Sequence, residues 1–482
     1  MIFNSFEFLL FLPIVFILYW FFCKNNTKYQ NIVLLLSSYL FYAFWDYRFL
    51  FLLIFSTLLD YFTGIKMHES PTKRMKQFWF WLSISINLGF LGIFKYYNFF
   101  IDSFAELLSG FGLQTNFWSI SVILPVGISF YTFHGLSYVI DIYYDKIKPE
   151  KNFIDYSVFV SFFPLLVAGP IERATHLLPQ IQTKRSFNYS KATDGLRQIL
   201  WGLFMKVVVA DNCAVVVNEV FKNQDSYNST SLFVGAIFFA FQIYGDFSGY
   251  SNIALGTARL FGIELLRNFN FPYFSRDIAE FWRRWHISLS SWFRDYLYIP
   301  LGGSKGGISH KIRNTFIIFL VSGFWHGANW TFIIWGLLNA LFIMPSIIFS
   351  TNRNNLDSVA QGKLFPSVKE IVQIGVTFSL TVFAWIFFRS ESVAQAFNYI
   401  STIFSCSLFE IPAFRFRTKA SITLLLTTIF IFLEWIGRQN DFAIQKMGFK
   451  WNSKLRWLLY FTLVFSIFYF AGKEQVFIYF NF

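Results

Sequence analysis

From Thr315 to Phe349 the chain runs for about 35 residues without a single Asp, Glu, Lys or Arg, and Trp325-His326-Gly327 stands in the middle of that run. As one helix the run would measure roughly 52 Å, against about 30 Å of bilayer hydrocarbon. One straight span does not fit. Gly323, Gly327, Ala328 and Asn329 supply a break, which puts His326 at or near an interruption between two helices. Broken backbone at membrane depth is tolerated only where protein buries it or a wet cavity adjoins it. An ionisable side chain there is costly to place and marks a functional site by default. The run predicts a reaction site inside a membrane protein.

The rest of the chain fits that class. Hydrophobic residues make up 55% and charged residues only 14%, with a mean hydropathy of +0.48. Soluble domains carry nearer ~25% charge. Candidate spans recur at 6–23, 31–45, 49–65, 78–99, 117–143, 195–218, 231–250, 314–326, 330–349, 371–388, 420–437 and 457–472. This predicts an all-α polytopic fold in one domain, 1–482, of about 11–12 transmembrane helices. Tyr156–Pro170, ending in Ala168-Gly169-Pro170, reads as re-entrant or interfacial. Val393, Phe397, Ile400 and Phe404 repeat at helical spacing and suggest a helix lying on the membrane.

The net charge of +13 does not point to nucleic acid, because of where it lies. Lys66–Lys76, Lys146–Lys191, Arg259–Arg313 and Arg438–Arg456 are rich loops, and Ile101–Asn116 has an acidic pair and no base. Alternating loops place most of the base on one side, as the positive-inside rule expects of cytosolic loops facing anionic lipid. Both termini then lie outside. The first apolar segment lacks a basic start and a cleavage site, so a retained helix is expected. Cys23, Cys213 and Cys406 have no metal-ligand spacing, and no metal is expected.

Three clusters carry candidate chemistry. Ala279–Pro300, read as one helix, places Phe281, Trp285, Leu289, Trp292 and Tyr296 on an apolar face and Glu280 one turn from Arg284, with His286 on the flank. An ordinary interfacial helix with snorkelling arginines is the plainer reading of this pattern. His326 is the second cluster. Entering from Lys311–Arg313, it lies roughly 18 Å in. There a neutral imidazole suits a general base, and the alternative is a buried histidine bonded to freed backbone. Asn329 is positioned to orient it or to contribute to an oxyanion site. Asp246, in Asp246-Phe247-Ser248-Gly249-Tyr250 at the end of a span, lines a cavity or, more simply, caps a helix. The glycine-rich Leu301–Gly307 is best read as a turn, with donor-phosphate contact as the lesser reading. No span carries the carboxylate pair of a proton-coupled carrier. Two histidines fit group transfer better than ion transport.

Several long motifs give a sharper reading. Phe281–Gly303, Ser322–Gly327, Asp246–Tyr250, Gly127-Ile128-Ser129-Phe130-Tyr131-Thr132-Phe133 and Ala168-Gly169-Pro170-Ile171-Glu172-Arg173 resemble the signature of the membrane-bound O-acyltransferase family. The resemblance spans nearly the whole chain and is densest from 124 to 345. It is nearest to the bacterial branch that O-acetylates alginate or peptidoglycan, with teichoic acid D-alanyl transfer as a cousin. It implies a ring of tilted helices around a thinned central funnel. By resemblance, His326 is the hallmark histidine and base, and His286 the second histidine, near the donor. Arg283, Arg284, Arg294 and Asp295 are implied to shape the funnel wall, with Trp325, Asn329 and Asp246 nearby. The resemblance also implies a cytosolic thioester donor (acetyl-CoA or an acyl carrier protein), no bound cofactor, and a bacterial inner-membrane location. The short outer loops leave no grip for a polysaccharide, so an extracytoplasmic hydrolase-like acyltransferase partner is expected. A polysaccharide transporter and a non-catalytic scaffold are the competing classes. His134 is expected to be a core or funnel-lining residue rather than catalytic.

Overall fold

The computed structural model describes residues 1–24, 26–113, 124–405, 410–472, 475, 477 and 478. Among them every regular element is helical. Contacts gather the chain into two compact units, residues 1–193 with 257–266, and residues 194–256 with 267–482.

The first unit contains α1 (Phe6–Ile17), α2 (Thr27–His68), α3 (Lys73–Leu91), α4 (Tyr97–Gly110), α5 (Ile128–Tyr143), α6 (Phe153–Ser161) and α7 (Ala174–Gln182). α2 is 42 residues long, roughly 63 Å and about twice the hydrocarbon thickness. It breaks at Asp46 (φ −157°, ψ 111°), between the two spans expected from sequence. The Asp46 carboxylate accepts the Arg48 N–H at 2.9 Å and so caps the second half. α2 packs on α3, α5 and α6. Its Asp60 is buried and accepts from Ser83 Oγ at 2.6 Å and Asn87 Nδ2 at 2.8 Å. A Cβ on Gly135 would lie 1.9 Å from Asp60 Oδ2, so α5 approaches this carboxylate only through a glycine.

α5 starts later than the expected span because Gly127 adopts φ +76° and a Cβ there would meet Leu166 O at 2.1 Å. Residues 117–123 of that span lie outside the described ones. Glu172 is fully buried, and its oxygens bind the Leu266 N–H at 2.6 Å and His176 Nδ1 at 2.7 Å. Its own N–H donates to His134 Nε2 at 3.0 Å, and His134, 1% exposed, is a core histidine. α6 is nine residues long, buried from Asp155 to Ser161, and too short to cross a bilayer.

The second unit contains most of α8 (Tyr189–Leu203), α9 (Asp211–Lys222), most of α10 (Ser229–Leu260), α11 (Ile278–Arg284), α12 (Ile287–Phe293), α13 (Ile308–His326), α14 (Trp330–Ile348), α15 (Val368–Arg389), α16 (Val393–Ile403), α17 (Arg417–Gly437) and α18 (Ser453–Phe470). α16 buries Ala396, Tyr399 and Ile403 and leaves Phe397 exposed. α8 and α10 cross on glycines: a Cβ on Gly202 would meet Gly249 O at 2.6 Å, and one on Gly256 would meet Gly195 O at 2.4 Å. A π-helical stretch, Phe204–Ala210, joins α8 to α9 and turns Lys206 inward.

Lys206 Nζ lies 2.9 Å from Asp211 and 2.7 Å from Asp246. Asp246 therefore caps no helix. It sits inside α10, which runs ten residues past the expected end, and its other oxygen accepts the Ile478 N–H at 2.7 Å. Carboxylates from two different helices do converge, but on a lysine.

α13 and α14 form a hairpin whose crossing is set by Gly323 and Gly336. A Cβ on either would sit 2.3 Å from a backbone oxygen of the other helix, Phe332 O or Phe319 O. Gly336→Ala is expected to force the hairpin apart at a cost of about 1–3 kcal/mol. An unchanged denaturation midpoint in mixed micelles would show that the crossing tolerates a methyl group.

Seven helices are long and apolar enough to cross a membrane among the described residues. Five of the twelve expected spans account for the difference from the sequence reading. Phe6–Phe22 is only a shorter apolar helix, α2 merges two expected spans, and α5 has only 16 residues. The first two turns of α13 carry His310, Lys311 and Arg313, and those of α18 carry Lys454 and Arg456.

Candidate active site

The site is built within the second unit. Asp277 caps α11 by accepting the Glu280 N–H at 2.7 Å. Glu280, 1% exposed, then binds two guanidiniums, Arg284 Nη2 at 2.7 Å and Arg276 Nη2 at 3.1 Å. Both arginines reach on to Asp357 O, at 2.8 and 2.9 Å. α11 stops at Arg284, and His286 takes a left-handed conformation (φ +43°, ψ 54°). That conformation is uncommon for a residue other than glycine. It is held by residues 268–270, since Asn270 N donates to Arg284 O and Ile287 N to Asn268 O, both at 2.9 Å.

The single interfacial helix expected over Ala279–Pro300 is thus two short helices, the second continued by a π-helical stretch over Arg294–Tyr298. Its histidine is not a flank residue but is 1% exposed. The cause is long-range: the polar groups freed at the break are paired by the 268–270 segment, so the break can be buried. Burial pulls the His286 imidazolium down to about 3, which leaves a neutral ring at ordinary pH.

His326 ends α13 as the glycine pattern predicts. Gly327 is extended, and a Cβ there would collide with the Phe332 ring at 2.1 Å. His326 is buried against the rings of Trp325, Trp335 and Phe388, at 4.8, 5.1 and 5.3 Å between centroids. Trp325 is also 6.3 Å from the His286 ring, and Phe247 of α10 meets that ring edge-on at 4.6 Å. The two histidines therefore share one aromatic cluster joined through Trp325. Asn329 does not belong to it. Its Oδ1 caps α14 by accepting the Thr331 N–H, and its Nδ2 donates to Glu391 O. Each of these two bonds is to backbone outside the imidazole cluster.

The four wall residues separate. A cavity of about 590 Å³ is lined by Arg283 and Arg294, together with Lys311 and Arg353. Arg283 also donates to Asn352 O at 2.5 Å and Asn355 O at 2.7 Å. Arg284 is committed to Glu280 and to backbone carbonyls and does not line the cavity. Asp295 is not a lining residue either, but it pairs with Arg294 at 2.8 Å. Trp282 and Phe319 line the cavity as well. Trp282 stands 5.7 Å from Trp335, which in turn contacts His326. Ser290, another lining residue, donates its N–H to His286 O. Cations at the wall and buried imidazoles behind aromatic rings suit an anionic substrate with a reactive end that must be kept dry. Arg353 and Asn268 lie outside the long motifs and carried no spacing signal that sets them apart from other loop residues.

Seven helices fit to cross a membrane among the described residues, and two buried imidazoles in one aromatic cluster, mark a membrane-embedded protein, and comparison with known proteins gives the class. A family model described as MBOAT, membrane-bound O-acyltransferase family, matches residues 144–362. The probable alginate O-acetylase AlgI of Pseudomonas aeruginosa is 38% identical over 413 residues, covering 85% of this chain and 76% of that protein. The peptidoglycan O-acetyltransferase of Helicobacter pylori is 32% identical over 517 residues, covering 98% and 95%. The teichoic acid D-alanyltransferase of Bacillus subtilis is 28% identical over 280 residues, covering 55% and 69%. The chain belongs to the membrane-bound O-acyltransferase family and is a multi-pass membrane O-acyltransferase.

Proposed function

We propose that this enzyme carries an acetyl group from a cytosolic thioester across a bacterial cytoplasmic membrane, for O-acetylation of an extracytoplasmic polysaccharide of the alginate or peptidoglycan kind. The observation that carries the reading is the pairing of His326 and His286 in one aromatic cluster beside a cationic cavity. In the reaction, the acceptor hydroxyl oxygen attacks the thioester carbonyl carbon while His326 takes the hydroxyl proton. The C–S bond then breaks, and the departing thiolate recovers that proton. Arg283, Arg294, Lys311 and Arg353 hold the phosphates of the donor, which acetyl-CoA and a phosphopantetheine-bearing acyl carrier protein both possess. His286 positions the donor's reactive end. The basic loops face the cytosol, and a hydrolase-like acyltransferase outside passes the group on to the glycan.

Membranes containing the chain, incubated with radiolabelled acetyl-CoA or with acetyl-loaded carrier protein, are expected to label glycan or a partner protein. Loss of glycan O-acetyl groups, read by mass spectrometry, is expected in a deletion strain. A transporter leaves no label, and a scaffold still complements the deletion when both histidines are replaced. D-alanyl transfer is the second reading. The teichoic acid D-alanyltransferase comparison, at 28% identity over about half of this chain, favours it less. Esterified D-alanine in place of acetate would establish it.

A further inference from the structure

Asn268 Oδ1 meets three groups. It lies 2.6 Å from Ser288 Oγ, 3.3 Å from Ser288 N and 3.1 Å from His286 Nδ1. A backbone N–H can only donate, so the Asn268 atom facing it must be the amide oxygen, and the flipped amide is excluded. An amide oxygen only accepts, so Nδ1 of His286 must carry the proton. Nε2 then keeps its lone pair, and it is buried with no hydrogen-bond partner among the described residues. Burial keeps the ring from taking a second proton at ordinary pH.

From this geometry we infer that Asn268 is a positioning residue that locks His286 in the Nδ1–H form, so that Nε2 accepts a hydrogen bond from the substrate. The inference rests on the proposed reading of His286 and narrows it. A neutral ring with a bare Nε2 has no proton there to polarise a thioester carbonyl. It holds an N–H or O–H instead, from an amide of the donor's pantetheine arm or from the acceptor hydroxyl. The logic is that of an outer partner that fixes which imidazole nitrogen is free to act. Nothing in the local sequence Arg267-Asn268-Phe269-Asn270 singles the residue out, and the contact spans 18 positions.

The test uses the full chain in lipid nanodiscs with ¹⁵N-labelled histidine. Of the six histidines, His286 is assigned by the signal lost in His286→Gln. At pH 7 its Nε2 is expected to be unprotonated and its Nδ1 protonated, and the opposite tautomer overturns the inference. In membranes supplied with radiolabelled acetyl-CoA, Asn268→Ala is expected to lose about 10–100-fold in transfer. A rise in KM for acetyl-CoA identifies the pantetheine amide as the bound group. A fall in kcat at constant KM identifies the acceptor hydroxyl.

Asn268→Asp offers a carboxylate to the same three donors and keeps the geometry. Its charge favours imidazolium, so Nε2 stays protonated up to higher pH, and the acid limb of the pH–rate profile is expected to move upward. A merely structural Asn268 leaves that limb in place, which sinks the inference even if Asn268→Ala fails to fold. Wild-type transfer by His286→Gln removes the histidine from the reaction and takes the proposed role of His286 with it. A wrong tautomer with inactive His286→Gln removes only the part assigned to Asn268.

Discussion

Replacing His326 with alanine is expected to lower acyl transfer by about 10²–10⁴-fold, the range for loss of a positioned general base. The expectation follows from placement. The imidazole ends α13 at a break, is enclosed by Trp325, Trp335 and Phe388, and is linked through Trp335 and Trp282 to the cationic cavity. Rings that keep bulk water out also leave few other groups able to take the hydroxyl proton. The same enclosure complicates the reading, because alanine leaves a cavity in the cluster. His326→Gln, of similar size, keeps the packing and should be equally inactive. Incorporation of radiolabelled acetate into glycan is the measurement, with denaturation midpoints as a control on folding. Full incorporation by either variant ends the assignment of His326 as the base.

The second large effect is on stability. Glu280→Ala strips the shared carboxylate from two buried guanidiniums: Arg276 keeps Asp357 at 2.8 Å and Glu370 at 3.6 Å, while Arg284 is left on the backbone carbonyls of Asn270 and Asp357. Breaking a buried charge cluster by removing one partner typically costs about 3–5 kcal/mol, much of it from the charges left unpaired. Those guanidiniums also hold Asp357 against α11, whose end sets the His286 break. Transfer should therefore fall together with the unfolding midpoint in mixed micelles. Glu280→Gln keeps the shape and two acceptor positions, and should lose less of both. A Glu280→Ala midpoint equal to the wild type's would mean that water or another group satisfies the arginines.

The helical hairpin around His326 was legible because its causes are local. An uncharged run too long for one span, with Gly323 and Gly327 inside it, leaves the backbone little choice. The Asp46 break was half legible, as a gap between two apolar stretches. The break at His286 was not, because Phe281-Trp282-Arg283-Arg284-Trp285-His286 is good amphipathic helix by periodicity. Only backbone partners from residues 268–270 make its interruption cheap to bury. The fate of the arginines was equally hidden. Arg283 and Arg284 are neighbours, yet one lines the cavity and the other is spent on Glu280.

Taken alone, the chain's order of residues determined the membrane class, the acyltransferase motifs and the interruption at residue 326. Those follow from apolar run length and glycine placement, which act within a turn or two of helix. Tertiary structure decided that His286 is buried beside Trp325, that Asp246 meets Lys206 rather than capping a helix, and that Asn268 faces an imidazole. Each depends on a charge or hydrogen bond satisfied by a residue far away in sequence. Burial of a polar group is decided by the partner that folding brings to it, and no local pattern records that partner.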